Sequence, residues 1–407
     1  MHEHLLFLCI ALLILGYGIF SRLLGRYNIS GPMVFTAVGV ILSPLVLGGE
    51  PIRFNAEAVQ ILAETTLILV LFSDAATLKL KELESDWRLP ARLLFVALPV
   101  TIFLSTLTGV WFFPHESILY IVLLALILAP TDAALGKIVV SDTRIPSTVR
   151  NTINVESGLN DGIVFPILLT ILAMISSGSQ TAQSGWMEYI AQQIFIGAFA
   201  GAFVGFVGAT VMLKALRKGW MAHQYSNLTP IALAILSFYF AEYFGGNGYI
   251  AAFFSGLFLG NRSDTLRKHV ESFAESEGEL FVMLSFLIFG LVFIPATIPY
   301  WDLKAVGFAL LSLTLLRMLP VALGLGFLKV DLSTRLFYGW FGPRGIASIL
   351  YILVAVGEIG DIKGHETIFS VASLTILLSI VLHGLSAQPL AVRYARSHPA
   401  TEASKDR

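Results

Sequence analysis

Carboxylates, hydroxyls and helix breakers interrupt an otherwise apolar chain between Ala129 and Gly162. Ala129-Pro130-Thr131-Asp132 ends one apolar run, and Glu156-Ser157-Gly158-Leu159-Asn160-Asp161 lies inside the next. Ionisable groups at membrane depth cost about 2.5–3.5 kcal/mol each even on the lenient insertion scale, so they are functional candidates by default. Pro130 lacks an N–H and is expected to leave backbone carbonyls free in mid-membrane. With the Thr131 hydroxyl and the carboxylates, these carbonyls make an all-oxygen environment. Such an environment suits a hard alkali cation and suits soft transition metals poorly.

Two arginines, Arg317 and Arg344, also fall inside apolar runs. Set against Asp132, Asp161 and Glu156, they leave one negative charge in surplus. A carboxylate without a fixed partner is neutralised by a proton or by a small cation, not by both together. That competition suffices for exchange of a cation against a proton. Helical spacing divides the second motif. Ser157 and Asp161 are four residues apart and share a face, while Glu156 and Asn160 share a neighbouring one. The expected division of labour puts Ser157 and Asp161 on a hydrated cavity and Glu156 and Asn160 against packed protein.

The elements that must position these groups are membrane helices. The chain has 407 residues, 56% of them hydrophobic and 13% charged, with a mean hydropathy of +0.80. Soluble domains carry about 25% charged residues. Apolar runs of roughly 18–25 residues recur from end to end, the length that crosses a ~30 Å hydrocarbon core. Runs this long and continuous are helices rather than barrel strands. The chain is therefore expected to be an all-α polytopic membrane protein.

Hydropathy predicts thirteen transmembrane spans, at 4–21, 32–48, 58–76, 91–113, 117–136, 151–176, 187–213, 227–244, 248–261, 277–295, 302–328, 334–357 and 366–392. The split of 227–261 is placed at Gly245-Gly246-Asn247-Gly248. On this division the odd-numbered loops and the tail hold 21 Lys and Arg residues, and the even-numbered loops hold three, Arg53, Lys304 and Lys363. The positive-inside rule then predicts a cytoplasmic C-terminus and an outside N-terminus. Asp161, ten residues from Asn151, falls about 15 Å into the sixth span, at mid-bilayer. The first apolar run lacks a basic n-region and a cleavage site, and is expected to be a retained helix.

Spans five and twelve are each interrupted, at Pro130-Thr131-Asp132 and at Phe341-Gly342-Pro343-Arg344-Gly345. Their seven-span offset gives them opposite directions. Paired broken spans point to an inverted-repeat transporter with its site near the midplane. One membrane domain over 1–407 is expected to divide into a first repeat (1–176, spans one to six), a connecting span (187–213), an inverted second repeat (227–392, spans eight to thirteen) and a short cytoplasmic tail (393–407). Asp74 near the end of span three is either a solvated interfacial acid or part of a cavity entrance. Glu64 is expected to make a helix-contact hydrogen bond, and Glu242 and His383 to be structural or interfacial.

A single cysteine, Cys9, excludes an intramolecular disulfide framework and a thiolate metal cluster. No Walker sequence, dinucleotide glycine motif or paired-histidine metal signature is present, which speaks against an ATP-driven pump. No cofactor and no nucleic-acid partner are expected. An intramembrane hydrolase is the rival from another class, but the chain has no Ser/His arrangement and no Gly-flanked paired aspartates.

At these residues the sequence resembles the NhaP/NHE-type branch of the monovalent cation/proton antiporters. The matching pieces are Thr131-Asp132, Glu156 to Asp161, Arg317, and Gly342-Pro343-Arg344-Gly345. The resemblance implies that Asp161 alternately binds cation and proton, with Thr131, Asp132 and Ser157 completing the cation shell. It implies a structural ion pair of Glu156 and Arg317 with Asn160 nearby, and an Arg344 that offsets Asp132 and helix-end charge. An acid after Leu-Phe at the end of span three is common in relatives, which makes Asp74 a further ligand candidate. Ala75-Ala76 stands where relatives often carry Gly.

The Asn160-Asp161 pair resembles the electroneutral branch, implying one cation per proton. The family further implies a homodimer, each protomer with a dimer domain and a six-helix core, in the cell inner (plasma) membrane. The implied activity is Na⁺ (or Li⁺, with K⁺ a further candidate) exchange for H⁺ in pH and salt homeostasis, the ions being substrates. The alternative within transport is a K⁺/H⁺ efflux antiporter or channel-like protein of the sister branch. Such proteins usually carry a soluble nucleotide-binding domain that this sequence does not show.

Overall fold

A computed structural model describes residues 2–43, 56–80, 87–132, 135, 139–140, 142–176, 186–360 and 364–398. Residues 44–48 of the second predicted span and the loop charges Arg53, Lys81, Lys137, Lys363, Lys405 and Arg407 lie outside them. The described residues form helices and their connections, with no strand among them. Without water in a bilayer core each segment must satisfy its own backbone, and the helix does so residue by residue.

In chain order the helices are α1 (His2–Arg26), α2 (Gly31–Leu42), α3 (Ala56–Thr77), α4 (Arg88–Phe112), α5 (Ile118–Ile127), α6 (Ser147–Ser176) and α7 (Trp186–Arg217). They continue as α8 (Thr229–Tyr243), α9 (Gly248–Arg262), α10 (Asp264–Tyr300), α11 (Leu303–Gly324), α12 (Leu332–Trp340), α13 (Ile346–Ile359) and α14 (Glu366–Ser397). Among the described residues, eight helices are long and apolar enough to cross a membrane, and α2, α5, α8 and α13 are shorter apolar helices.

The turn between α8 and α9 falls on the predicted glycines. Gly245 takes φ +74° just past the end of α8, and the Gly246 N–H returns to the Ala241 carbonyl at 2.9 Å. A residue with no Cβ fits this left-handed helix stop. Asn247 then caps α9 by accepting the Ile250 N–H at 3.0 Å, and Glu242 accepts the Gly248 N–H at 2.7 Å. Glu242 is thus a turn-forming residue.

Helix α9 is the hub of one half of the molecule, packing against α3, α7 and α8. Its Gly256 and Gly260 lie against the carbonyls of Phe72 and Ala76, and an added Cβ at either would overlap those oxygens. Small residues at such a spacing let membrane helices approach backbone to backbone. The contact fixes the stretch of α3 that carries Asp74.

Three predicted spans take a different shape. Helix α10 runs unbroken for 37 residues from Asp264, well before the predicted start at 277, because its first turns are charged rather than apolar. It contains π-helical turns at Ala274–Gly278 and Phe289–Phe293. Helix α11, predicted continuous, is interrupted at Thr314 (φ −115°, ψ −93°), three residues before Arg317. Neither Gly nor Pro stands at Thr314, so the sequence carries no punctuation there. The fifth predicted span loses its helix after Ile127, where Leu128 to Asp132 run on without helical form.

Candidate functional site

The two interrupted segments meet. The Asp132 N–H donates to the Pro343 carbonyl at 2.8 Å, and the Ile346 N–H donates to Asp132 Oδ2 at 2.8 Å. Asp132 therefore serves α13 as an N-terminal cap supplied by another segment, placing negative charge where the helix dipole is positive. Gly345 makes this approach possible, since an added Cβ would fall on the Asp132 carboxylate.

Arg344 answers the opposite end. Its Nη1 donates to the carbonyls of Ala129 at 2.9 Å and Pro130 at 3.1 Å, just past the C-terminus of α5. A cation there offsets the negative end of the half-helix. One expectation is corrected. The carbonyls freed by Pro130 are not left open: Ser157 Oγ donates to Thr131 O, and Ser348 Oγ donates to Ile127 O at 2.6 Å. An unpaired carbonyl in hydrocarbon costs several kcal/mol, so side chains 26 to 221 residues away close the gap.

Helix α6 carries both members of the second motif. Glu156 Oε1 accepts from Arg317 Nη2 at 2.5 Å, with the side chains 3% and 1% exposed. Asn160 Nδ2 donates to Thr131 Oγ1 at 2.7 Å, so its bond orients the threonine rather than the ion pair. Asp161 is 4% exposed, and its Oδ1 has no hydrogen-bond partner. The Tyr351 hydroxyl reaches only its backbone carbonyl, at 3.4 Å.

Asp161 faces a cavity of about 130 Å³, whose wall also includes Thr131, Asp132, Ser157, Asp74 and Ile346. Glu156, Asn160, Arg317 and Arg344 are not in that wall, and among the described residues no Lys, Arg or His lines it. Among the described residues no three His, Cys, Asp or Glu side chains cluster as metal ligands do. The donors around Asp161 are hydroxyls and single carboxylates, a set that fits a monovalent hard cation better than a bound divalent one.

Two outlying acids and a histidine also find their places. Asp74 lines the cavity, half-buried, rather than sitting as a solvated interfacial acid. Glu64 accepts from Gln60 Nε2 at 2.8 Å within its own helix, not across a helix contact, because the two are four residues apart on one face. His383 is 2% exposed and therefore not interfacial, its Nδ1 lying 3.2 Å from Ser379 Oγ. Ser379 Oγ in turn accepts the Arg344 N–H at 2.7 Å, tying α14 to the crossing.

Sequence reasoning missed three cavity residues, Thr66, Ser73 and Glu279. Thr66, Ser73 and Asp74 stand at i, i+7 and i+8, a polar stripe along one face of α3 that helical periodicity could have found. Glu279 falls at the start of the predicted span 277–295, where Glu271, Glu275 and Glu277 just before it make it look like one more charge at a span end.

The description of the transmembrane sodium/hydrogen exchangers matches residues 9–393 of this chain. The chain belongs to the sodium/hydrogen exchanger family. Among its relatives, a K⁺/H⁺ antiporter NhaP of Alkalimonas amylolytica is 25% identical over 362 residues, covering 88% of this chain and 61% of that protein. A probable Na⁺/H⁺ antiporter of Schizosaccharomyces pombe is 26% identical over 392 residues, 86% of this chain and 51% of its own. This exchanger-family chain therefore spans between half and two thirds of the length of those curated relatives. In three dimensions it resembles the sodium proton antiporter MjNhaP1 of Methanocaldococcus jannaschii at pH 8, with a TM-score of 0.77 and 21% identity, covering 97% of this chain and 100% of that one. The likeness establishes the fold of this family member.

Proposed function

We propose that this chain is a secondary antiporter exchanging Na⁺ or Li⁺, with K⁺ a further candidate, for H⁺ by alternating access. The observation that carries the reading is the buried Oδ1 of Asp161, without a hydrogen-bond partner among the described residues and facing a cavity that they line with hydroxyls and acids and with no basic side chain. A carboxylate so placed takes either a proton or a cation. The ligand set is Asp161 with Thr131, Asp132, Ser157 and Asp74, while Glu156 with Arg317, Asn160 and Arg344 hold the frame. With one such acid per protomer the exchange is electroneutral, one cation for one proton. An empty, charged Asp161 disfavours passage through the low-dielectric barrier, so the two-state equilibrium of the moving part is biased toward crossing only when the acid is neutralised.

The architecture that goes with this reading has thirteen spans, inverted repeats at 1–176 and 227–392 about a connecting span at 187–213, and a tail at 393–407. A dimer domain and a six-helix core pair into homodimers in the cell inner (plasma) membrane, N-terminus outside. Relatives named for Na⁺/H⁺ and for K⁺/H⁺ exchange support both cargoes. Proteoliposome exchange with each alkali cation across a pH series, with and without valinomycin-clamped voltage, tests the proposal. Expected is cation-driven proton movement that is insensitive to voltage. No pH change with any alkali cation would reject antiport, and a voltage-dependent rate would reject the 1:1 stoichiometry.

A further inference from the structure

The cavity has oxygen donors besides those of the crossing and α6. Thr66, Ser73 and Asp74 line it from one face of α3, and Glu279 lines it from α10. Helices α3 and α10 pack together, so these four side chains belong to one wall. Glu279 stands directly after the π-helical turn Ala274–Gly278. Such a turn inserts one extra residue and rotates the helix beyond it, and turns of this kind are frequent at functional sites. Here the first residue past the turn reaches the cavity, while Glu275 and Glu277 within it remain exposed and do not line it.

Burial grades along the same cavity. Asp161 is 4% exposed, whereas Asp74 and Glu279 are half-buried. A volume of about 130 Å³ holds several water molecules, so an ion can enter it with much of its hydration. The cavity thus has a wetter end at Glu279 and a drier one at Asp161, whose buried Oδ1 accepts no hydrogen bond from the described residues.

We propose that Glu279, with Ser73 and Thr66, forms an entry station that holds a partly hydrated alkali cation before transfer to Asp161 and its ligand set. This rests on the antiport reading and adds a residue and a site to it. The Glu279 carboxylate and two hydroxyls on the facing sides of α10 and α3 raise the local cation concentration without stripping the hydration shell. Dehydration is left to the buried end, where Thr131 and Ser157 stand beside Asp161. The station acts on capture and not on the crossing step.

The test is a KM-against-kcat split in proteoliposomes, using Na⁺, Li⁺ and K⁺ in turn and whichever drives the largest wild-type signal. Glu279→Gln is expected to raise the cation KM about 3- to 10-fold, the effect of removing one unit charge at partly screened range, with kcat unchanged. Glu279→Asp should recover most of the affinity, and Glu275→Gln should leave KM alone. An unchanged KM in Glu279→Gln overturns the proposal, as does an equal rise in Glu275→Gln, which would reduce the effect to general surface charge. A fall in kcat at constant KM also overturns it. Should Glu279→Gln not assemble, Ser73→Ala carries the same expectation of higher KM at constant kcat, and an unchanged KM there counts against the station. Full exchange by Asp161→Asn would instead fault the antiport reading itself, independently of these outcomes.

Discussion

Glu156 and Asp161 lie five residues apart on one helix, both buried, and their surroundings are opposite. Glu156 is closed by Arg317 at 2.5 Å and lies outside the cavity wall. Asp161 faces the cavity and keeps an oxygen with no partner. Equal burial thus serves two ends. A buried acid with a fixed counter-ion holds helices together, because removing either charge strands the other. In the proposed exchange, a buried acid without one is held for a ligand that comes and goes. The crossing of the broken segments belongs with the first kind, since Asp132 caps α13 and Arg344 caps the end of α5.

Five substitutions break or sharpen this contrast. Asp161→Asn has the largest expected effect on function and the smallest on folding. Exchange is lost, while the melting temperature stays at or above that of wild type, because an unpaired buried charge has been removed. Fluorescence of a pH dye in proteoliposomes and a thermal melt of the purified protein measure the two sides.

Glu156→Ala or Arg317→Ala reverses the pattern, lowering stability by about 3–5 kcal/mol. A variant that melts like wild type yet cannot transport would show that this pair is not a structural one. Gly345→Ala comes next. A methyl forced onto the Asp132 carboxylate is an overpacking lesion of about 1–3 kcal/mol, and it also displaces the cap of α13. Transport and melting temperature should therefore fall together, and loss of only one of them would separate the cap from the site.

The smallest effect lies outside the membrane core, in the connection between α5 and α6. There the Arg144 guanidinium hydrogen-bonds Asp142 at 2.7 Å and holds its carboxyl below the usual range. A folded value below the unfolded one stabilises above the unfolded pKa, and the stabilisation is lost as pH falls through the folded one. Asp142→Asn should lower the melting temperature slightly at neutral pH, with the gap closing below about pH 4. A gap that persists in acid would assign the effect to something other than this pair.

Much of the frame was legible in the sequence. Long apolar runs and their Gly and Pro punctuation located the helices, and acids among aliphatics marked Asp132, Glu156 and Asp161. Three features were not legible, each for a physical reason. Arg344 satisfies carbonyls 214 and 215 residues away, a pairing that no local pattern encodes. The interruption at Thr314 carries no breaker residue, so tertiary packing rather than propensity decides it. Glu279 stands among acids that face water, and only the π-helical turn before it separates the cavity-lining carboxylate from its exposed neighbours. The carbonyls beside Pro130 teach the converse. A proline rightly marks a break, but the groups it frees are claimed by the protein before any ion arrives.

The central claim is that one carboxylate serves cation and proton in turn. The most direct measurement is the cation KM of wild-type proteoliposomes as a function of pH. Competition at Asp161 predicts a KM that rises toward about tenfold per pH unit on the acid side, with kcat constant at saturating cation. A KM independent of pH, with kcat carrying all of the pH dependence, would contradict it.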